Sequence, residues 1–184
     1  MEDPSHELLG KAQAGDLAAF EEIYRQTSGF VFNVALRIAP CHADAEDVAQ
    51  EVFVKMHQNL NQFRFQSSLK TWLYRITVNT ALSRRRKNTG EANAFLKYKN
   101  HLETQPANEP FPDPVHKKDN ENIAAAILAR LDPDQRACIV LREMEGLAYD
   151  EIAEILNVPM NTVRSRLHRA REALMEFAKD KELI

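Results

Sequence analysis

Two cysteines, five glycines and one tryptophan stand in 184 residues, and each scarcity removes a class of protein. Cys41 and Cys138 lie far apart in separate apolar-periodic segments. A disulfide framework and a Cys-rich zinc site are excluded, and two free thiols, buried or half-buried, are expected. The few glycines are too scattered for a phosphate-cradling loop. His6, His42, His57, His101, His116 and His168 show no zinc spacing. Paired carboxylates such as Asp44/Asp47 and Glu143/Glu145 have no histidine or nucleophile beside them in a catalytic pattern. Neither an enzyme, a metal site nor a cofactor is expected. Nowhere do apolar residues run for the roughly 18 positions that a membrane span needs. The opening MEDPSHELLG is acidic and polar, unlike a signal peptide. The expectation is no membrane insertion and a cytoplasmic location.

The chain is 44% hydrophobic and 28% charged, ordinary values for a globular protein. Its 24 Lys plus Arg against 27 Asp plus Glu give a net charge of −3, a sum that argues against nucleic acid as a partner. Distribution alters that reading. Apolar residues recur at helical spacing almost throughout and period-two alternation is missing, so the fold class is all-α. The exception is Asn88 to Lys118, which holds Pro106, Pro110, Pro112 and Pro114 and reads as a flexible linker between two small helical domains.

The N-terminal domain reads as helices near 5–14, 16–38, 44–60 and 69–87, with Asp16 capping the second and Asp44 the third. In the third helix Ala45, Val48, Ala49, Val52 and Met56 form one stripe, from which Asp47, Gln50 and Glu51 fall away. Residues 61–68, NQFRFQSS, read as a loop. Beyond the linker, Asn120 to Leu131 is one helix. Asp132 then caps the next, with Pro133 in its first position, and Gly146 ends it near Glu145. Helices at 149–156 and 161–178 flank the turn Asn157-Val158-Pro159.

Two constellations carry chemistry. The first is a helix–turn–helix in which Ile152, Ala153 and Leu156 are spaced to pack on Val163 and Leu167. Residues 132–163 hold seven acids and two bases, whereas 164–171 hold Arg164, Arg166, Arg169 and Arg171 without an acid. Such density in the N-terminal half of the second helix suits contact with phosphates and guanine edges in a major groove. The second constellation places Phe63, Phe65, Trp72 and Tyr74 among Arg64, Lys70, Arg75 and the basic run Arg84-Arg85-Arg86-Lys87. Rings interleaved with cations suit single-stranded DNA, although Phe63 and Trp72 also suit a core.

DAEDVAQEVFVKMHQNL at 44–60 followed by FRFQSSLKTWLYRITVNTALSRRRK at 63–87 closely resembles conserved region 2 of bacterial sigma factors of the extracytoplasmic-function (ECF) class. LDPDQRACIVLREMEGLAYDEIAEILNVPMNTVRSRLHRAREAL at 131–174 resembles their region 4. The resemblance covers about three quarters of the chain, in order. It implies region 2 at 1–88, a linker at 89–118 and region 4 at 119–184. It implies that Asp47, Gln50 and Glu51 dock on core RNA polymerase. Phe63, Arg64, Phe65, Lys70, Trp72, Tyr74, Arg75, Asn79 and Arg84 would open and read the −10 element. Arg164, Ser165, Arg166, His168, Arg169 and Arg171 would read the −35 duplex. An inhibitory anti-sigma protein is the further partner implied. Ala148 stands where the family often has a capping Ser, and Met160-Asn161 replaces a small-Gly pair. A regulator that uses only 131–174 on duplex DNA is the rival reading.

Overall fold

Helix starts are set by side chains that satisfy the first free backbone N–H groups. The computed structural model describes residues 3–39, 41–99 and 127–180, and of 88–99 and 180 the backbone alone. Ser5 caps α1 (His6–Gln13) by accepting from the Leu8 N–H at 3.2 Å. Asp16 caps α2 (Leu17–Ile38) by accepting from Ala18 and Ala19 at 2.9 and 3.2 Å, as its position predicts. Between them Gly15 turns at φ +92°, a conformation costly to any residue with a Cβ.

The third helix differs from expectation at its start. In α3 (His42–Asn59) the cap is Cys41, whose Sγ accepts from the Asp44 N–H at 3.5 Å. Asp44 lies inside the first turn, where its charge still favours the helix dipole. Cys41 is consequently exposed, not buried, while Cys138 is buried. A 3₁₀ turn at Leu60–Gln62 ends α3, and α4 (Leu69–Lys99) follows. Helix α4 runs well past 87 into the segment expected to be linker, because no proline occurs between Pro40 and Pro106. The rest of that linker, and most of the helix expected at 120–131, lie outside the described residues.

Ile23, Val31, Val34 and Ile38 of α2 meet Val48, Val52 and Met56 of α3 and Leu69, Leu73 and Val78 of α4, each at most 2% exposed. Each such side chain contributes about 1.5–3 kcal/mol by leaving water. This core fixes α3 beside α4, which is what shapes the site described below.

In the second unit Asp132 accepts from the Asp134 N–H at 3.0 Å and opens α5 (Pro133–Ile139). The helix does not continue regularly to Glu145. It widens into a π turn, Val140–Met144, closed by the Glu145 N–H on the Val140 carbonyl at 3.1 Å, and Gly146 at φ +73° ends it. Helices α6 (Tyr149–Leu156) and α7 (Met160–Asp180) complete the helix–turn–helix, with Asn157 left-handed at φ 52° as the turn. Ile152, Ile155, Val163, Leu167 and Ala170 are fully buried between them. Among the described residues there is no strand, and no helix is long and apolar enough to cross a membrane.

Candidate nucleic-acid interface

Packing α3 against α4 leaves an open groove of about 670 Å³ along their C-terminal and N-terminal halves respectively. Trp72, Arg75, Ile76, Asn79, Thr80 and Ser83 form the α4 wall, and Lys55, Gln58, Asn59 and Gln62 the other. Arg75 is exposed, Trp72 half-buried, and Lys55 reaches across to Thr80 Oγ1 at 2.9 Å while pairing with Glu51 at 2.7 Å. The groove therefore offers two cations, several amide and hydroxyl groups and one indole face. Rings for stacking with cations for phosphate are what an unstacked single strand requires.

The loop 61–68 forms one end of the site and is held from below. Gln13 of α1 donates through Nε2 to the Leu60 and Phe63 carbonyls at 2.9 and 2.8 Å. Phe63 is buried and stacks on Trp72 with ring centroids 5.4 Å apart, so it supports the indole. Phe65 sits at φ 57°, a conformation that costs a residue with a Cβ about 1–2 kcal/mol. The residue remains 38% exposed, its ring against Phe63 and His6 at 5.1 and 4.9 Å. A strained, exposed aromatic beside an exposed Arg64 is a feature that folding alone does not call for.

Not every residue of the expected −10 set lines this groove. Tyr74 is buried, its hydroxyl bonded to the Glu145 carboxylate, and burial together with that carboxylate drives its pKa upward. Lys70 points the other way, its Nζ 5.8 Å from the Phe30 and Tyr74 rings. Arg84 binds Asp47 and lies 3.8 Å from the Asp44 carboxylate. The acidic face is thus real but engaged: Asp47 and Gln50 are exposed, Glu51 is half-buried against Lys55, and Arg84 ties the face to α4.

On α7, Arg164, Ser165, His168, Arg169 and Arg171 are exposed and Arg166 is half-buried. The Arg171 guanidinium holds Glu143 at 2.7 Å, His168 pairs with Glu172 at 2.9 Å, and Arg166 lies 3.3 Å from Asp134. Ala148 supplies no cap for α6, although the Glu151 carboxylate still accepts from the Ala148 N–H at 2.7 Å. Half of a capping box is present without its hydroxyl.

Lys55, Gln58 and Asn59 on the α3 wall, like Thr80 and Ser83 on the α4 wall, are residues that the sequence did not single out. The spacing of the first three marks a polar stripe on α3, but only the α3–α4 packing shows that this stripe faces Trp72 and Asn79.

Two families match. The sigma-70 region 2 family matches residues 23–91 and the sigma-70 region 4 family residues 122–174. The RNA polymerase sigma-H factor of Pseudomonas aeruginosa is 32% identical over 179 residues, covering 94% of this chain and 93% of that protein. The ECF RNA polymerase sigma-E factor of Escherichia coli is 35% identical over 175 residues, 91% of this chain and 90% of that one. Among solved structures, the sigma factor RpoE of Bartonella quintana, crystallised with the anti-sigma factor NepR, aligns at a TM-score of 0.67 with 26% identity, over 87% of this chain and 96% of that one. CnrH, solved with the cytosolic domain of CnrY, shares the fold at a TM-score of 0.64 and 21% identity, over 94% of this chain and 96% of that one. With both regions in order and relatives matched along nearly their whole length, the chain belongs to the extracytoplasmic-function class of RNA polymerase sigma factors, in the sigma-70 family.

Proposed function

We infer that the protein directs core RNA polymerase to specific promoters and helps to open them, without catalysing a reaction itself. The groove between α3 and α4 carries this reading, because a duplex-binding regulator that used only residues 131–174 would have no use for it. In this reading the unit at 1–88 docks on polymerase through Asp47, Gln50 and Glu51 and takes the −10 strand along Trp72, Arg75 and Asn79. The unit at 119–184 reads the −35 duplex with Arg164, Ser165, Arg166, His168, Arg169 and Arg171, and residues 89–118 connect the two. The work is done in the cytoplasm, where polymerase and promoter DNA are.

Extruding a base from the stack costs a few kcal/mol, repaid by stacking and hydrogen bonds in a pocket. Trp72 offers the ring; Lys55, Gln58 and Asn59 offer the polar edge. Arg84 we assign to the docking face instead, as the residue that positions Asp47. The sigma factor RpoE, solved with the anti-sigma factor NepR, motivates an inhibitory protein partner for this chain as well, and affinity capture from the native host tests it.

Run-off transcription with core polymerase tests the central claim, and a protein that neither binds core nor starts transcripts at any promoter would sink it. Trp72→Ala separates this reading from its rival: duplex binding by the second unit is spared while promoter opening falls at least about tenfold, from the loss of one stacked base. A melting curve on the variant checks that support by Phe63 has not been lost with the indole.

A further inference from the structure

Among the described residues, Arg64, Phe65, Gln66 and Ser67 make no hydrogen bond, and all four are exposed. Phe65 is also held at φ 57°. A loop with no bonds of its own and a strained residue within it relaxes unless its surroundings over-determine it. Those surroundings are residues 3–13, which precede the sigma-70 region 2 match at 23–91.

Gln13 uses both hydrogens of one amide nitrogen, on the Leu60 carbonyl at 2.9 Å and the Phe63 carbonyl at 2.8 Å. The Leu60 carbonyl also accepts from the Phe63 N–H at 3.0 Å, so Gln13 ties both ends of the turn that carries Gln62 into the groove. A single amide reaches two carbonyls three residues apart only when the turn has this curvature. At the far end of the loop the Asp3 carboxylate accepts from the Lys70 N–H at 3.0 Å, next to Ser68 Oγ, which accepts from that of Thr71 at 3.0 Å. Two free N–H groups in the first turn of α4 are thereby satisfied, and the direction in which the chain leaves the loop is set. In the middle, the His6 ring lies 4.9 Å from that of Phe65. The clamp is itself anchored, because Pro4 is buried and Leu9 and Ala12 of α1 sit in the core.

None of Asp3, His6 and Gln13 lines the groove, yet what they hold does. Phe63, gripped by its carbonyl, backs the Trp72 indole with ring centroids 5.4 Å apart. A base that stacks on Trp72 therefore meets a surface already in place, and little ordering entropy is lost in the loop on binding.

We propose that Gln13 is a positioning residue of the −10 reader: with Asp3 and His6 it presets loop 61–68, and so sets how sharply the groove discriminates among bases. The clamp follows from the contacts; its effect on base choice rests on the promoter reading above.

Two variants of the full chain test it. Gln13→Met keeps the length of the side chain and removes both donors, and Gln13→Glu also sets a carboxylate against the two carbonyls. By NMR the Phe63 amide should exchange with solvent at least about tenfold faster in each, the scale of two lost hydrogen bonds, while that of Val52 in the core of α3 keeps its rate. Run-off transcription with core polymerase is then measured on a DNA library randomised through both promoter elements. With wild-type protein a wrong −10 base costs about fivefold or more in yield. Both variants flatten that ranking toward equal yields, whereas a loss of stability alone lowers all yields together and leaves the ranking unchanged. An unchanged Phe63 exchange rate, or a −10 ranking that survives in both variants, overturns the proposal. No transcript from any library member with wild-type protein refutes the promoter reading and the role of Gln13 in base choice with it, while the exchange rates still report whether the clamp exists.

Discussion

Arg84 offers the cleanest test of how the first unit divides its labour. Its sequence position, first in a run of four bases, points to DNA, whereas its guanidinium lies between Asp44 and Asp47 of α3. Arg84→Ala removes both pairs. Arg84 is 35% exposed and its partners 23% and 49%, so solvent screens the interaction and the loss is about 1 kcal/mol in total. A domain of this size should then melt about 4–8 °C lower. Without the cation, Asp44 and Asp47, three residues apart on one helix face, repel each other and the acidic face proposed to dock on polymerase loses its shape. A further ~1 kcal/mol lost there weakens core polymerase binding about fivefold. Fluorescence anisotropy of labelled protein against core enzyme measures this, and permanganate reactivity of the promoter at saturating protein measures opening. Opening per bound complex should be unchanged. Unaltered core affinity together with a tenfold loss of opening would show instead that Arg84 touches DNA.

Other expectations concern stability. Thr77 is fully buried and its hydroxyl has no partner among the described residues, so Thr77→Val should raise the unfolding free energy by about 1 kcal/mol, read from urea denaturation. Ala148→Ser completes the half-formed capping box of α6 and should add about 1 kcal/mol, visible as a higher melting temperature. Burial pushes the Cys138 thiol up to about 11, so the folded chain keeps a proton that the unfolded chain releases above its ordinary value near 9. Stability should thus be complete below pH 9 and decline from there to about pH 11; Cys138→Ala should flatten that decline, and an unaltered slope would contradict it.

Much of the fold is legible in the residue order because it depends on neighbours. Asp16 and Asp132 cap helices since a carboxylate two or three residues ahead reaches free N–H groups whatever lies elsewhere. Where two nearby residues compete for the same role, local reading fails: Cys41 caps α3 and Asp44 does not. Composition likewise marks a linker at the prolines, but α4 continues until Lys99 because nothing before Pro106 forbids it.

The divisions within the site are another matter. By itself the sequence determined an all-α chain, the two helical regions in family order, the outward turn of Asp47 and Gln50, and the exposed arginines of α7, all of which follow from spacing along one helix. Only the tertiary structure decided that Tyr74 is buried against Glu145, that Arg84 serves the acidic face, that Lys55, Gln58 and Asn59 wall the groove, and that Arg136 reaches α2. The reason is physical. Periodicity states which side of a helix leaves water, whereas the partner that a polar or aromatic group meets there depends on a second helix many residues away, and on a π turn whose extra residue no period announces.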